Sequence, residues 1–218
     1  TLAGQTFPEP SPYDRKILDQ IVRYVGDEVA LVVADNEETA MRAMKLIKVK
    51  YEVYEPILDF RKAIDHPSVI HAEDDYKMLC EIGNDRFRNI LAHEETSYND
   101  VDEAFSHCDV VLQRTYHTKA NAQAMMETMR SFAYIDAYGR LNCVSSTQVP
   151  FHIRRILSNA LEIPKSKIRV IKPRIGGGFG AKQTGCTEIF AAFVTWKLKR
   201  PSKIVYTREE TLTASNSR

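Results

Sequence analysis

Long apolar runs are what this sequence most plainly lacks. The longest, Val29-Ala30-Leu31-Val32-Val33-Ala34 and Ile189-Phe190-Ala191-Ala192-Phe193-Val194, fall far short of the roughly 20 residues that carry a helix across a bilayer. An excess of one charge is missing too. With 30 Lys and Arg against 29 Asp and Glu, a net of +1, no overall field draws the chain to nucleic acid or to an anionic membrane. Cysteine is sparse and scattered. Cys80, Cys108, Cys143 and Cys186 include no close pair of the kind that clamps zinc or an iron–sulfur cluster, and read as reduced thiols of a cytoplasmic protein. Internal repeats, low-complexity stretches and the basic-then-apolar start of a secretory signal are also missing. The first residue is Thr1, and the last three, Asn216-Ser217-Arg218, follow a strand-like segment, so a fragment starting mid-chain is expected.

What is present is an ordinary globular composition, 44% hydrophobic and 27% charged over 218 residues, enough for one large or two small domains. Arg23 to Tyr54 patterns as a β-α-β unit. Val29 to Val33 is a buried-strand run, Asp35-Asn36 caps a helix over Glu37 to Lys48, and Val49 to Tyr54 alternates as a half-exposed strand. From Glu55 to Asn84 the signals fade into loops and a short helix, and a domain boundary is expected near residue 95.

Beyond it, Val101 to His107 predicts a short helix capped by Asn99 or Asp100, and Val110 to Lys119 a strand. Arg130 to Ala137 and Leu141 to Ser145 predict a hairpin about Tyr138-Gly139. Pro150 opens a helix with an apolar stripe of Ile153, Ile156, Leu157, Ala160 and Leu161, and Pro164 closes it. A strand at Ile168 to Ile171, a glycine loop at Gly176 to Gly180, a helix over Thr187 to Leu198 and a strand over Ser202 to Tyr206 follow.

The loop Gly176-Gly177-Gly178-Phe179-Gly180-Ala181-Lys182-Gln183 lies between strand and helix, where glycines let backbone approach a ligand and turn N–H groups toward an anion. Two nucleotide readings fail on register. Ala181 stands before Lys182 and Gln183 after it, which breaks the phosphate-loop pattern, and Ala181 also occupies the last glycine of GxGxxG. Phe179 either plugs a core from a tight turn or offers a flat face to a planar ligand.

Several longer motifs carry a resemblance. Ser146-Thr147-Gln148-Val149-Pro150, Arg154, and Ile168-Arg169-Val170-Ile171-Lys172-Pro173 leading into the glycine loop are similar to the first cofactor-binding region of molybdenum hydroxylases of the xanthine dehydrogenase/aldehyde oxidase type. Arg200-Pro201-Ser202-Lys203-Ile204-Val205-Tyr206-Thr207-Arg208-Glu209-Glu210 continues the match. Arg23-Tyr24-Val25-Gly26-Asp27-Glu28-Val29-Ala30 resembles the opening of the family's hammerhead domain, and Asp100-Val101-Asp102-Glu103-Ala104-Phe105 the segment that joins the two domains.

The resemblance implies an α+β fold, with a hammerhead-like domain over 1–95 and the first, incomplete part of a molybdopterin-binding domain over 96–218. It implies that Gln148 donates a hydrogen bond toward the oxo ligand of molybdenum; the plain alternative is a glutamine capping the helix at Pro150. Gly177, Gly178, Phe179 and Gly180 would line the cofactor, Phe179 would orient a flat substrate, and Gln183 would hydrogen-bond a purine-like ring. No side chain here is expected to ligate the metal itself. Where the family has Leu-Glu-Pro, this chain reads Met126-Glu127-Thr128, so Glu127 is either a structural carboxylate or a surface ion-pair partner.

The activity implied is hydroxylation of an N-heterocycle or aldehyde with water as oxygen source, the electrons leaving through 2Fe-2S and FAD centres on partner subunits or domains. The family's general base is a Glu on a distant motif that does not occur here. The 218-residue chain alone is therefore expected to retain little molybdenum–molybdopterin, to show no turnover, and to expose apolar surface. A different class of reading is a non-enzymatic scaffold or assembly module of such a complex.

Overall fold

The computed structural model describes residues 16–76 and 82–215; Cys80 lies outside them. The sheet at the centre of the fold has four strands, β1 (Arg130–Ile135), β2 (Leu141–Ser145), β3 (Ile168–Ile171) and β4 (Ser202–Val205), in the order β3-β2-β1-β4. β1 and β2 are the expected antiparallel hairpin, in the register Ala133 opposite Cys143. The turn is built by two residues. Gly139 takes a positive φ of 73°, and the Asp136 carboxylate accepts from the N–H groups of Tyr138 and Arg140 and from the amide of Asn142. Those donors favour the charged form, holding the Asp136 carboxyl down at about 2.

α3 (Pro150–Leu161) follows, and the parallel pairing of β2 with β3 (Ile168–Ile171) requires such a crossover. Pro150 sits in its first turn, where a missing N–H leaves no bond unmade, and Glu162 closes it in the left-handed conformation. Ile153, Ile156, Leu157 and Ala160, the expected stripe, are buried; Leu161 is packed at their edge. α4 (Thr187–Leu198) is apolar on nearly every side and buries Ile189, Phe190, Ala191 and Ala192 against the same sheet face. Each large aliphatic or aromatic side chain so buried contributes roughly 1.5–3 kcal/mol. β4 (Ser202–Val205) then returns antiparallel to β1, tethered to α4 by the Ser202 hydroxyl, which donates to the Ala191 carbonyl at 2.7 Å.

The last helix, α5 (Arg208–Ala214), is not among the sequence expectations. Its signal is local: Thr207 and Glu210 form a reciprocal capping box.

The earlier part of the chain departs further from expectation. α1 (Glu37–Met44) is capped by Asn36 but ends four residues short of Lys48, and it buries no residue. α2 (Val101–Ser106) is capped by Asp100. Val29 to Val33, Val49 to Tyr54 and Val110 to Lys119 form no strand: none of them joins a ladder among the described residues. Alternation states which face a segment would bury, whereas a strand exists only where a neighbour accepts its hydrogen bonds. Here most apolar positions stay open, Val53 86% exposed and Leu112 77%, although Leu31 packs against the main core. This part is tied instead by charge. Glu73 pairs with Arg23 at 3.0 Å and with His71 at 2.8 Å, and Arg23 also reaches Asp19 at 3.1 Å.

Candidate functional site

β2 runs out into Ser146, Thr147 and Gln148 just before α3 begins. This segment is fastened to the far end of the glycine loop: the Gln148 N–H donates to the Lys182 carbonyl at 2.9 Å, and the Thr147 hydroxyl donates to the same oxygen at 3.3 Å. The Gln148 side chain does not cap α3, whose cap position is Val149 with no side-chain bond. Its Oε1 instead accepts the Gly180 N–H at 3.1 Å. A backbone N–H needs an oxygen opposite it, so the amide orientation is fixed, and the NH2 group remains as donor.

β3 leads into the loop through Lys172 to Ile175. At Gly176 the backbone touches another segment: a Cβ there would stand 2.6 Å from the Cβ of Glu127. At Gly178, which is buried, a Cβ would stand 2.5 Å from Gln148 Oε1. The loop therefore excludes side chains at these points because two neighbours already occupy the space. Phe179 follows in the left-handed region, with φ +50°, and is 65% exposed, so its ring does not plug the core. Among the described residues, the N–H groups of Gly177, Gly178 and Phe179 meet no acceptor, while the next, that of Gly180, is held by Gln148.

The structure thus brings Gln148 together with Gly178 and Gly180 and sets Gly177 and Phe179 beside them. The Gln183 side chain makes no hydrogen bond among the described residues. The residue is exposed and joins the loop through its backbone N–H to the Gly180 carbonyl at 3.3 Å.

Two residues that the sequence reading passed over complete the site. Lys182, its side chain 1% exposed, donates Nζ to Glu127 Oε2 at 2.8 Å, and the same oxygen accepts the Gly176 N–H at 2.8 Å. Burial pushes the Glu127 carboxyl up, but the Lys182 and Gly176 hydrogen bonds, with the charges of Lys182 and Arg130, hold it below the ordinary carboxylate value. Glu127 is thereby a structural carboxylate of the loop. Its segment is supported by the end of the chain: Arg208 donates to the Met126 carbonyl at 2.7 Å, and the Met129 N–H donates to the Thr211 hydroxyl at 3.3 Å. The signal for Lys182 in sequence is that it is the single charge between Arg174 and Glu188.

The second residue is Glu188, buried in the first turn of α4. It accepts the Ser145 hydroxyl and, at 2.8 Å, the Cys186 N–H, joining β2 to the start of the helix. Burial, with this carboxylate nearby, pushes the Cys143 thiol well up.

Free backbone donors in a glycine loop beside an oriented amide define an α+β module for holding a cofactor rich in acceptors. Known proteins agree. The family described as molybdopterin cofactor-binding domain matches residues 83–218, and the a/b hammerhead domain of aldehyde oxidase and xanthine dehydrogenase matches residues 3–55. A probable hypoxanthine oxidase of Escherichia coli O157:H7 is 38% identical over 100% of this chain, which covers 25% of that protein. The nicotinate dehydrogenase large molybdopterin subunit of Eubacterium barkeri is 33% identical over 93% of the chain, covering 44% of that protein. Among solved structures, a Cu,Mo-CO dehydrogenase superposes with TM-score 0.76 at 29% identity, over 88% of this chain and 24% of that one. The aldehyde oxidoreductase of Desulfovibrio desulfuricans shares the fold with TM-score 0.81 at 20% identity, over 100% of this chain and 24% of that one.

The chain belongs to the molybdenum-binding subunits of the xanthine dehydrogenase/aldehyde oxidase family, joining a hammerhead domain to part of a molybdopterin-binding domain. It spans about a quarter of the length of the Escherichia coli relative.

Proposed function

We propose that this chain forms one wall of the active site of a molybdenum hydroxylase that oxidises an N-heterocycle, purine-like in shape, or an aldehyde, with water as the oxygen source. One observation carries the reading: three successive amides, Gly177, Gly178 and Phe179, lack acceptors among the described residues, beside a glutamine whose oxygen is already used. A molybdenum–molybdopterin group is rich in acceptor oxygens, so the residues present fit it. The described residues contain no cluster of three His, Cys, Asp or Glu able to hold a metal directly, so the protein's grip is assigned to backbone amides. When bound, the group supplies a metal that activates water and accepts electrons.

The residues of this chain then have separate tasks. Gln148 presents its NH2 toward the group, Gly177, Gly178 and Gly180 keep the wall thin enough for close approach, and the exposed Phe179 ring orients a flat substrate. Gln183 contributes a polar contact at the rim, which suits a ring nitrogen better than a bare aldehyde. The names of several relatives, a probable hypoxanthine oxidase, a nicotinate dehydrogenase subunit and a nicotine 6-hydroxylase subunit, support that preference, and aldehyde oxidase 2 of Rattus norvegicus keeps the aldehyde in view.

Electrons are proposed to pass to 2Fe-2S and FAD partners. Residues 1–95 are assigned to the hammerhead-like domain and 96–218 to the cofactor domain. The chain by itself is proposed to lack turnover. A cytoplasmic location is supported by Cys108, Cys143 and Cys186, which form no disulfide; no described helix is long and apolar enough to cross a membrane.

The test is dye reduction by the molybdenum subunit carrying this segment, with hypoxanthine and benzaldehyde as rival substrates. Hypoxanthine is expected to be preferred, and Gln183→Leu to shift the kcat/KM ratio toward the aldehyde. Molybdenum-loaded subunit that turns over neither substrate class defeats the proposal.

A further inference from the structure

We infer that Lys182 and Glu127 are positioning residues: one ion pair ties both ends of the glycine loop and so sets the amides of residues 177–179 in the arrangement that receives the cofactor. The inference rests on the cofactor reading above and adds the device that shapes the loop.

The geometry is economical. Glu127 Oε2 accepts the N–H of Gly176 and the ammonium of Lys182, each at 2.8 Å, so a single carboxylate oxygen holds the first and last residues of the loop. Gly176 answers with its carbonyl, which accepts the Glu127 N–H at 3.2 Å. Lys182 answers with its own, which accepts from Gln148 and Thr147. Three segments distant in sequence, at 127, at 147–148 and at 176–182, therefore meet at one buried lysine.

Within the loop little else defines its shape. Besides the Gly176 anchor, Ala181 donates to the Gly178 carbonyl, Gln183 to the Gly180 carbonyl and Gly180 to Gln148, while the N–H groups of Gly177, Gly178 and Phe179 have no partner among the described residues. A glycine-rich segment with so few internal bonds is set by its anchor points.

Stability alone does not account for the pair. Burying an ammonium carries a desolvation penalty, and well-packed apolar residues of similar volume often serve stability as well or better. What the pair adds is one defined distance between residues 176 and 182.

The experiment compares Lys182→Met, Glu127→Gln and the double variant with the unaltered protein. Amide hydrogen exchange over residues 176–183 and the melting temperature are measured on this chain, and molybdenum content on the molybdenum subunit that contains it. Lys182→Met leaves the Glu127 carboxylate without its buried partner, so melting and loop protection should both fall. The double variant removes the stranded charge and should recover most of the melting temperature. Its loop should still exchange at least about tenfold faster than wild type, as expected when a charge-assisted anchor is lost, and its molybdenum content should fall severalfold. Should Lys182→Met fail to fold, the double variant carries the comparison. A double variant with wild-type loop exchange overturns the positioning role and reduces the pair to a stability element. A wild-type subunit without molybdenum overturns the cofactor reading instead, whatever the exchange rates.

Discussion

A Cβ placed on Gly178 would stand 2.5 Å from the side-chain oxygen of Gln148, the same oxygen that holds the Gly180 N–H at 3.1 Å. Position 178 therefore sets where the glutamine amide can lie, and the glutamine in turn sets the middle of the loop.

Gly178→Ala follows from that contact. Gly178 has no positive φ, so the penalty is purely one of space: the added methyl must displace the amide or the loop. Overpacking of this kind costs about 1–3 kcal/mol. Because the obstacle is a single side chain, Gln148→Ala combined with Gly178→Ala should recover most of the loss in a double-mutant cycle read by chemical denaturation. A purely additive cycle would mean that the methyl collides with backbone rather than with the glutamine. Neither variant is expected to keep a full complement of molybdenum in the complete subunit.

Phe179 separates stability from function. An aromatic residue with φ +50° occupies a conformation that costs L-residues roughly 1–2 kcal/mol, and its exposed ring recovers little through packing. Phe179→Gly should therefore melt no lower than wild type, because relief of backbone strain offsets the about 0.4–1 kcal/mol of added chain entropy. Phe179→Ala keeps the strained backbone and should gain nothing. Both variants should raise KM for a flat heterocycle in the complete subunit. Marked destabilisation of Phe179→Gly would show that the ring is holding the fold rather than facing a ligand.

Much of this arrangement was legible in sequence, and the exceptions share a cause. The strands Leu141–Ser145 and Ile168–Ile171 and the helix Thr187–Leu198 lie where patterning puts them, because each is buried in one core and its periodicity reports that burial. Val49 to Tyr54 and Val110 to Lys119 carry the same alternation and form no strand, since pairing belongs to the neighbour and not to the segment. α5 was announced only by Thr207 and Glu210, two residues in a segment with little amphipathic pattern. At the site, the approach of Gln148 to the glycine loop follows the resemblance, whereas the Lys182–Glu127 pair joins residues 55 positions apart, a separation that no local pattern encodes.

The hairpin beneath the site offers a test of the electrostatics by pH. Asp136 accepts two backbone N–H groups and the Asn142 amide, which hold its carboxyl at about 2 instead of the ordinary 3.8. A carboxyl whose value is lower in the folded state than in the unfolded chain contributes stability fully above the unfolded value, and that contribution disappears as pH falls through the folded one. The stabilisation from Asp136 should thus be complete at neutral pH, decline from about 3.8 downward and be gone below about 2. Asp136→Asn keeps the shape and removes the charge, so it should melt below wild type at neutral pH. The gap should close through that acidic window as the wild type loses its own charge. Thermal melts of both proteins across the acid range, compared as a difference so that other carboxylates cancel, provide the measurement. A gap of constant size at every pH would show that the hairpin depends on the geometry of the side chain and not on its ionisation.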